Sequence, residues 1–200
     1  MVRKDSLIMK AGIRWIKQQM NDKRFRVLVI AGVAAGMILC AEFLLFSYSI
    51  PKILRYLILL ESMFLIAWID QRKRRIPNKI LLAMLAARTV ILTIEWLLVP
   101  SMGMALLISS IIGMLLGGGM FLLAHFLSRG GVGMGDVKLF AVIGWYVGGS
   151  SVMPLVFLTA VVSAVYSIVM LILKKVKLKE EIPFAPFVLA GTILTMALGM

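Results

Sequence analysis

The chain has 200 residues, 62% of them hydrophobic and 16% charged, with a mean hydropathy of +1.02. A soluble domain of this size does not carry so much apolar surface, so the composition predicts an integral membrane protein with no room for a sizeable soluble domain. The net charge of +13 is not read as a nucleic-acid footprint, because the basic residues lie in clusters between apolar runs instead of forming one stripe with aromatics. A single cysteine, Cys40, excludes an intramolecular disulfide, a CxxC pair and a four-cysteine zinc site. No metal and no cofactor is expected.

In chain order, residues 1–26 hold eight Lys/Arg and two Asp. No small-residue cleavage site follows, so the first apolar helix is expected to be retained. Within this segment Met9, Ile13, Ile16 and Met20 recur at helical spacing beside Lys10, Arg14 and Lys17. The pattern predicts an amphipathic helix on the inner leaflet, a solvated basic tail being the alternative.

Apolar runs then mark seven spans, at about 27–47, 52–69, 80–99, 103–127, 138–149, 152–173 and 183–199. With the N-terminus inside, the cytoplasmic segments hold 19 of the 22 Lys/Arg, and only Lys52, Arg55 and Arg88 fall elsewhere. Seven spans then put the C-terminus outside. The expected fold is therefore an all-α membrane protein: a polytopic bundle of about seven transmembrane helices, residues 27–200 as one domain, preceded by the interfacial segment 1–26. Gly32/Gly36, Gly113/Gly117 and Gly144/Gly148 are small-xxx-small pairs that allow close helix packing, and Gly117, Gly118 and Gly119 are expected to loosen the fourth span.

Acidic residues in such a chain each need a reason, because an ionised carboxylate in hydrocarbon costs roughly 2.5–3.5 kcal/mol on insertion scales. Asp70 closes the second span in AWIDQRKRRIPN, and Asp136 enters the fifth in GVGMGDVKLF. The topology puts both at the cytoplasmic boundary. Two carboxylates at one depth, wetted but walled by apolar helices, suit acid–base hydrolysis: one takes a proton from water and the other donates to the scissile carbonyl. Gly130, Gly131, Gly133 and Gly135 are expected to make a flexible loop that admits an extended substrate, closes only when substrate binds, and keeps the free carboxylates too far apart to share a proton.

The combination D-x5-IPN (Asp70, Ile76, Pro77, Asn78), GxGD-x-KL (Gly133, Gly135, Asp136, Lys138, Leu139) and IPFAPF (Ile182 to Phe187) resembles the type IV prepilin and preflagellin peptidases, over about residues 52–199. These are polytopic GxGD aspartic proteases. The resemblance implies that Asp70 and Asp136 are the catalytic pair. It also implies that the partners are prepilin-like or pseudopilin precursors, cut after a short basic leader at the cytoplasmic face. Presenilin-type proteases share GxGD but carry a late PAL tripeptide, which is absent here.

Two departures follow from the same comparison. Many bacterial members carry a cysteine-rich segment and a second, N-methylating activity; Cys40 alone and the short link between the first two spans argue for a minimal peptidase. Ala185 stands where the family commonly has glycine in IPFGPF, which disfavours a positive backbone angle there.

Around the pair, Pro77 fits the first turn of the third helix. Lys138 either favours ionised Asp136 or merely obeys the positive-inside rule, and Asn78 either bonds near the site or caps its helix. Deep in the second span, Glu61 is expected to pair with Arg88 or Arg55. His125 is expected to pack at the interface. The alternative reading is a small proton-coupled transporter using Glu42, Glu61 and Glu95.

Overall fold

The structure, a computed structural model, describes residues 23–45, 48–174 and 182–199. The proposed N-terminal amphipathic helix and most of the basic segment after the sixth span lie outside these residues. Seven helices and no strands occur among the described residues: α1 (Lys23–Leu45), α2 (Ile50–Lys73), α3 (Asn78–Leu98), α4 (Pro100–Leu127), α5 (Met134–Val147), α6 (Gly149–Ile172) and α7 (Ala185–Ala197). Of these, α3, α4 and α6 are long and apolar enough to cross a membrane, and Val29–Phe43 and Ala185–Ala197 are shorter apolar helical stretches. α2 has the length but carries Lys52, Arg55, Glu61 and Asp70 along it.

The core forms where α2 and α5 meet their neighbours: α2 packs on α1, α3, α5 and α7, and α5 on α2, α3, α4 and α6. On α2 the buried side chains run Tyr56, Leu59, Met63, Ile66, Asp70, at spacings that keep them on one helical face. On α5 the corresponding stripe is Phe140, Ile143 and Val147, with Asp136 one turn ahead of it. Each aspartate is thus the polar end of an apolar stripe, which turns its carboxyl toward the bundle interior. Tyr146 ties α5 to α3 by donating to the Met84 carbonyl at 2.8 Å.

Small residues set the α4–α5 distance. A Cβ at Gly113 or at Gly144 would run into the backbone of the other, and one at Gly117 would lie 2.5 Å from the Phe140 carbonyl oxygen. Gly118 faces Ala141 in the same seam. The expected loosening at Gly117–Gly119 is therefore corrected: α4 runs unbroken from Pro100 to Leu127, and two of those glycines are spent on close contact with α5. Turns between helices are minimal, with Val99 between α3 and α4 and Gly148, at φ 83°, between α5 and α6.

Candidate active site

At one end of the bundle, Asp70 and Asp136 line a common cavity of about 260 Å³ with Arg74, Gly130, Gly133 and Phe184. Asp70 is buried, at 6% exposure, in the last turn of α2. Its Oδ2 accepts a hydrogen bond from the backbone N–H of Ala185 at 3.0 Å. That N–H is one of the free donors at the start of α7, where the helix dipole favours a negative group. Below Asp70, Arg74 takes the left-handed conformation (φ 49°) and returns its N–H to the Asp70 carbonyl at 2.8 Å, which ends α2 and turns the chain toward Ile76 and Pro77.

Asp136 is half-buried in the first turn of α5, ahead of the buried apolar residues Leu139 and Phe140. Burial, and then the negative charge of Asp70, push its carboxyl up from 3.8 to about 6, against an opposing hydrogen bond from the Gly133 backbone. The two groups therefore feel one another across the cavity, and no hydrogen bond joins them among the described residues.

The loop before Asp136 is folded on itself. His125 Nδ1 bonds the Val132 carbonyl at 2.6 Å, Val132 N–H donates to Ser128 Oγ at 3.2 Å, and Gly130 N–H donates to the His125 carbonyl at 2.9 Å. Gly130 has φ 90°, which a side chain would oppose. The two motif glycines serve a different purpose: a Cβ on Gly133 would sit 3.1 Å from Asp136 Oδ2, and one on Gly135 would sit 3.4 Å from Ile76.

The supporting residues fall as follows. Pro77 is the N-cap of α3, one position earlier than its expected place in the first turn. Lys138 Nζ donates to Asn78 Oδ1 at 3.4 Å, tying the start of α5 to the start of α3 instead of contacting Asp136. Ala185 does not have a positive φ, so alanine fits there. What matters at this position is its N–H, a backbone donor that no side-chain reading identifies. Phe184, also missed, lines the cavity and lies against Phe140, which stacks on Phe121 at 3.7 Å between centroids.

The expected partner of Glu61 is corrected. Arg88, fully buried, donates from Nη1 to Glu95 Oε2 at 2.8 Å, and Arg55 Nη1 lies 3.9 Å from Glu95 Oε1. Glu61 is exposed and borders Gly32 and Gly36 of α1. Six residues separate Arg55 from Glu61, roughly 240° around the helix, so they point to different neighbours. Among the described residues no group of three or more His, Cys, Asp or Glu forms a metal-binding cluster.

The model of the type IV leader peptidase family matches residues 57–168, which include both aspartates. The prepilin leader peptidase/N-methyltransferase of Bacillus subtilis (strain 168) is 36% identical over 73 residues, covering 36% of this chain and 29% of that protein. Proteins of the same name from Burkholderia pseudomallei strains 1026b and K96243 are each 33% identical over 69 residues, 34% of this chain and 22% of theirs. The matched stretch thus spans less than a third of the length of these relatives. No solved structure matches the chain. A family match over more than half of a helical, strongly apolar chain spans the two signatures around Asp70 and Asp136, and the chain belongs to the type IV leader peptidase family.

Proposed function

We propose that this chain is an aspartic endopeptidase that removes the short basic leader from prepilin-like or pseudopilin precursors at the cytoplasmic face of the membrane. One observation carries the reading: two carboxyls 66 residues apart in sequence line one small cavity, and the negative charge of one raises the proton affinity of the other. Asp70, already serving as an acceptor for Ala185 N–H, is assigned as the base and Asp136 as the acid. Water in the cavity gives a proton to Asp70 as its oxygen adds to the scissile carbonyl carbon, while Asp136 gives its proton to the carbonyl oxygen. In the resulting diol, Asp136 takes a hydroxyl proton back, Asp70 protonates the leaving nitrogen and the C–N bond breaks. The pair returns to its starting state without a covalent intermediate.

Gly130, Gly131 and Gly133 border the cavity, and their lack of side chains would leave room for an extended strand. The carboxyl pair supplies acid–base hydrolysis, which serves leader removal and not N-methylation. Proton-coupled transport draws little support, because Glu95 is committed to Arg88 and Arg55 while Glu61 faces α1.

The test is co-expression with candidate prepilins and mass spectrometry of the precursor. Wild type removes the leader, and Asp70→Asn or Asp136→Asn each slows removal by at least ~10³-fold while keeping helix content and a monodisperse elution profile. Cleavage by either variant, or uncut precursor with every candidate in the wild type, rejects the assignment.

A further inference from the structure

We propose that the end of the bundle opposite the aspartates holds a binding site for a phosphate-type oxyanion, formed between α2, α4 and α6. Arg55 lies 15 residues before Asp70 on α2, about 22 Å away along the helix at 1.5 Å per residue. A separate cavity of about 310 Å³ opens there, lined by Lys52, Arg55, Ser109, Ser110, Ser150 and Ser151 among others.

Charge balance is the first argument. Lys52, Arg55 and Arg88 are the three basic residues that the sequence leaves outside the cytoplasmic clusters, and all three converge at this end of the bundle. Among the described residues, Glu95 is the one carboxylate bonded into the group. Glu42 lines a neighbouring cavity that shares Phe43 and Tyr48, and counting it still leaves three cations to two carboxylates among the described residues. A positive excess in an apolar helical bundle is costly unless an anion neutralises it.

An unmet donor is the second. Arg55 is 7% exposed, its Nε has no hydrogen-bond partner, and its contact with Glu95 at 3.9 Å is too long for a hydrogen bond. The guanidinium of Arg55 lies over Tyr56 at 4.7 Å and the ammonium of Lys52 over Tyr48 at 3.8 Å, and both residues line the cavity.

The surrounding donors suit several acceptor oxygens at once. Ser109 Oγ accepts from Gly149 N–H at 3.3 Å and Ser110 Oγ accepts from Arg88 at 3.3 Å, so each hydroxyl keeps a proton to donate. Ser150 and Ser151 stand in the first turn of α6, whose free N–H groups and dipole favour an anion. The phosphate is either that of an anionic lipid headgroup or free in solution, and the chemistry of the site is the same for both. The inference does not rest on the peptidase reading.

The test uses the full-length chain, delipidated in a zwitterionic detergent. Native mass spectrometry follows retention of phosphatidylglycerol against phosphatidylcholine, and thermal unfolding is measured with inorganic phosphate. Lys52→Gln leaves the Arg55–Glu95–Arg88 group intact, and Lys79→Gln, exposed at the other end, controls for general charge loss. Expected are preferential binding of at least one phosphate probe and an affinity loss of about tenfold in Lys52→Gln but not in Lys79→Gln. Binding of phosphatidylglycerol that inorganic phosphate does not displace identifies a headgroup site; stabilisation by inorganic phosphate alone identifies a free-anion site. Equal retention of both lipids with no phosphate stabilisation, or equal losses in the two variants, overturns the proposal.

Discussion

At Gly133 the backbone is extended, φ −68° and ψ 139°, angles open to any residue. The absence of a side chain there is a matter of space: an added methyl would stand 3.1 Å from Asp136 Oδ2 and push the carboxyl aside by a few tenths of an ångström. Gly133→Ala should therefore slow leader removal by about tenfold, the cost of a small misplacement of a reacting group, with little change in the thermal midpoint. Gly135→Ala, whose methyl would meet Ile76 at 3.4 Å, should be milder. The raised carboxyl of Asp136 has a second consequence. A folded-state value of about 6 against 3.8 in the unfolded chain means that the folded protein holds this proton more tightly, so the group penalises folding once pH rises through 6 and not below 3.8. Asp136→Asn removes that penalty. Its thermal midpoint relative to wild type should rise more at pH 8 than at pH 5, even as cleavage is lost, and an equal shift at both values would contradict the assignment of a raised carboxyl. In the wild type, kcat/KM should fall above an apparent value near 6 as Asp136 loses the proton it donates.

Among the helices, the α4–α5 seam is the most demanding contact, because Gly113 and Gly144 bring two backbones together with nothing between them. Gly144→Val has no flexible neighbour to displace, so it should destabilise the fold by about 1–3 kcal/mol or more, read as a lower unfolding midpoint in detergent. Gly119→Ala, where no atom lies within 4 Å of the added methyl, is the matched control and should be near neutral. The positions of the helices were legible in the amino-acid pattern, since runs of apolar residues broken by charge, proline or glycine report directly on burial. Which face of α2 meets which neighbour was not. Glu61 and Arg88 are both deep and of opposite charge, yet rotation about the helix axis sends Glu61 toward Gly32 and Gly36 and leaves Glu95 to both arginines. The triple glycine of α4 misled for a related reason, because a residue suited to flexibility is equally suited to close packing. That Asp70 and Asp136 line one cavity was legible because the motifs that carry them are local and bounded by turns. The bond from Ala185 was not, because every residue other than proline carries the same backbone donor.

For the molecule as a whole, the aspartate cavity and the Lys52–Arg55 cavity occupy opposite ends of one helix, so orientation in the membrane decides which compartment each one meets. In the proposed reading, the bias of basic residues orients the chain with the aspartates on the cytoplasmic side. With Cys40 replaced by serine, a cysteine introduced at Arg75 should react with an impermeant maleimide only after cells are opened, and one at Ser150 should react in intact cells. The reverse pattern would invert the topology and with it the proposed encounter with a cytoplasmic leader. The bond between Asp70 and Ala185 also crosses 115 positions of chain. During synthesis, Asp70 is therefore threaded into the bilayer long before its donor leaves the ribosome. Until α7 docks, the nascent polypeptide carries an acid that lacks its amide, and a chain cut short upstream of residue 185 would lack the donor that holds the proposed base.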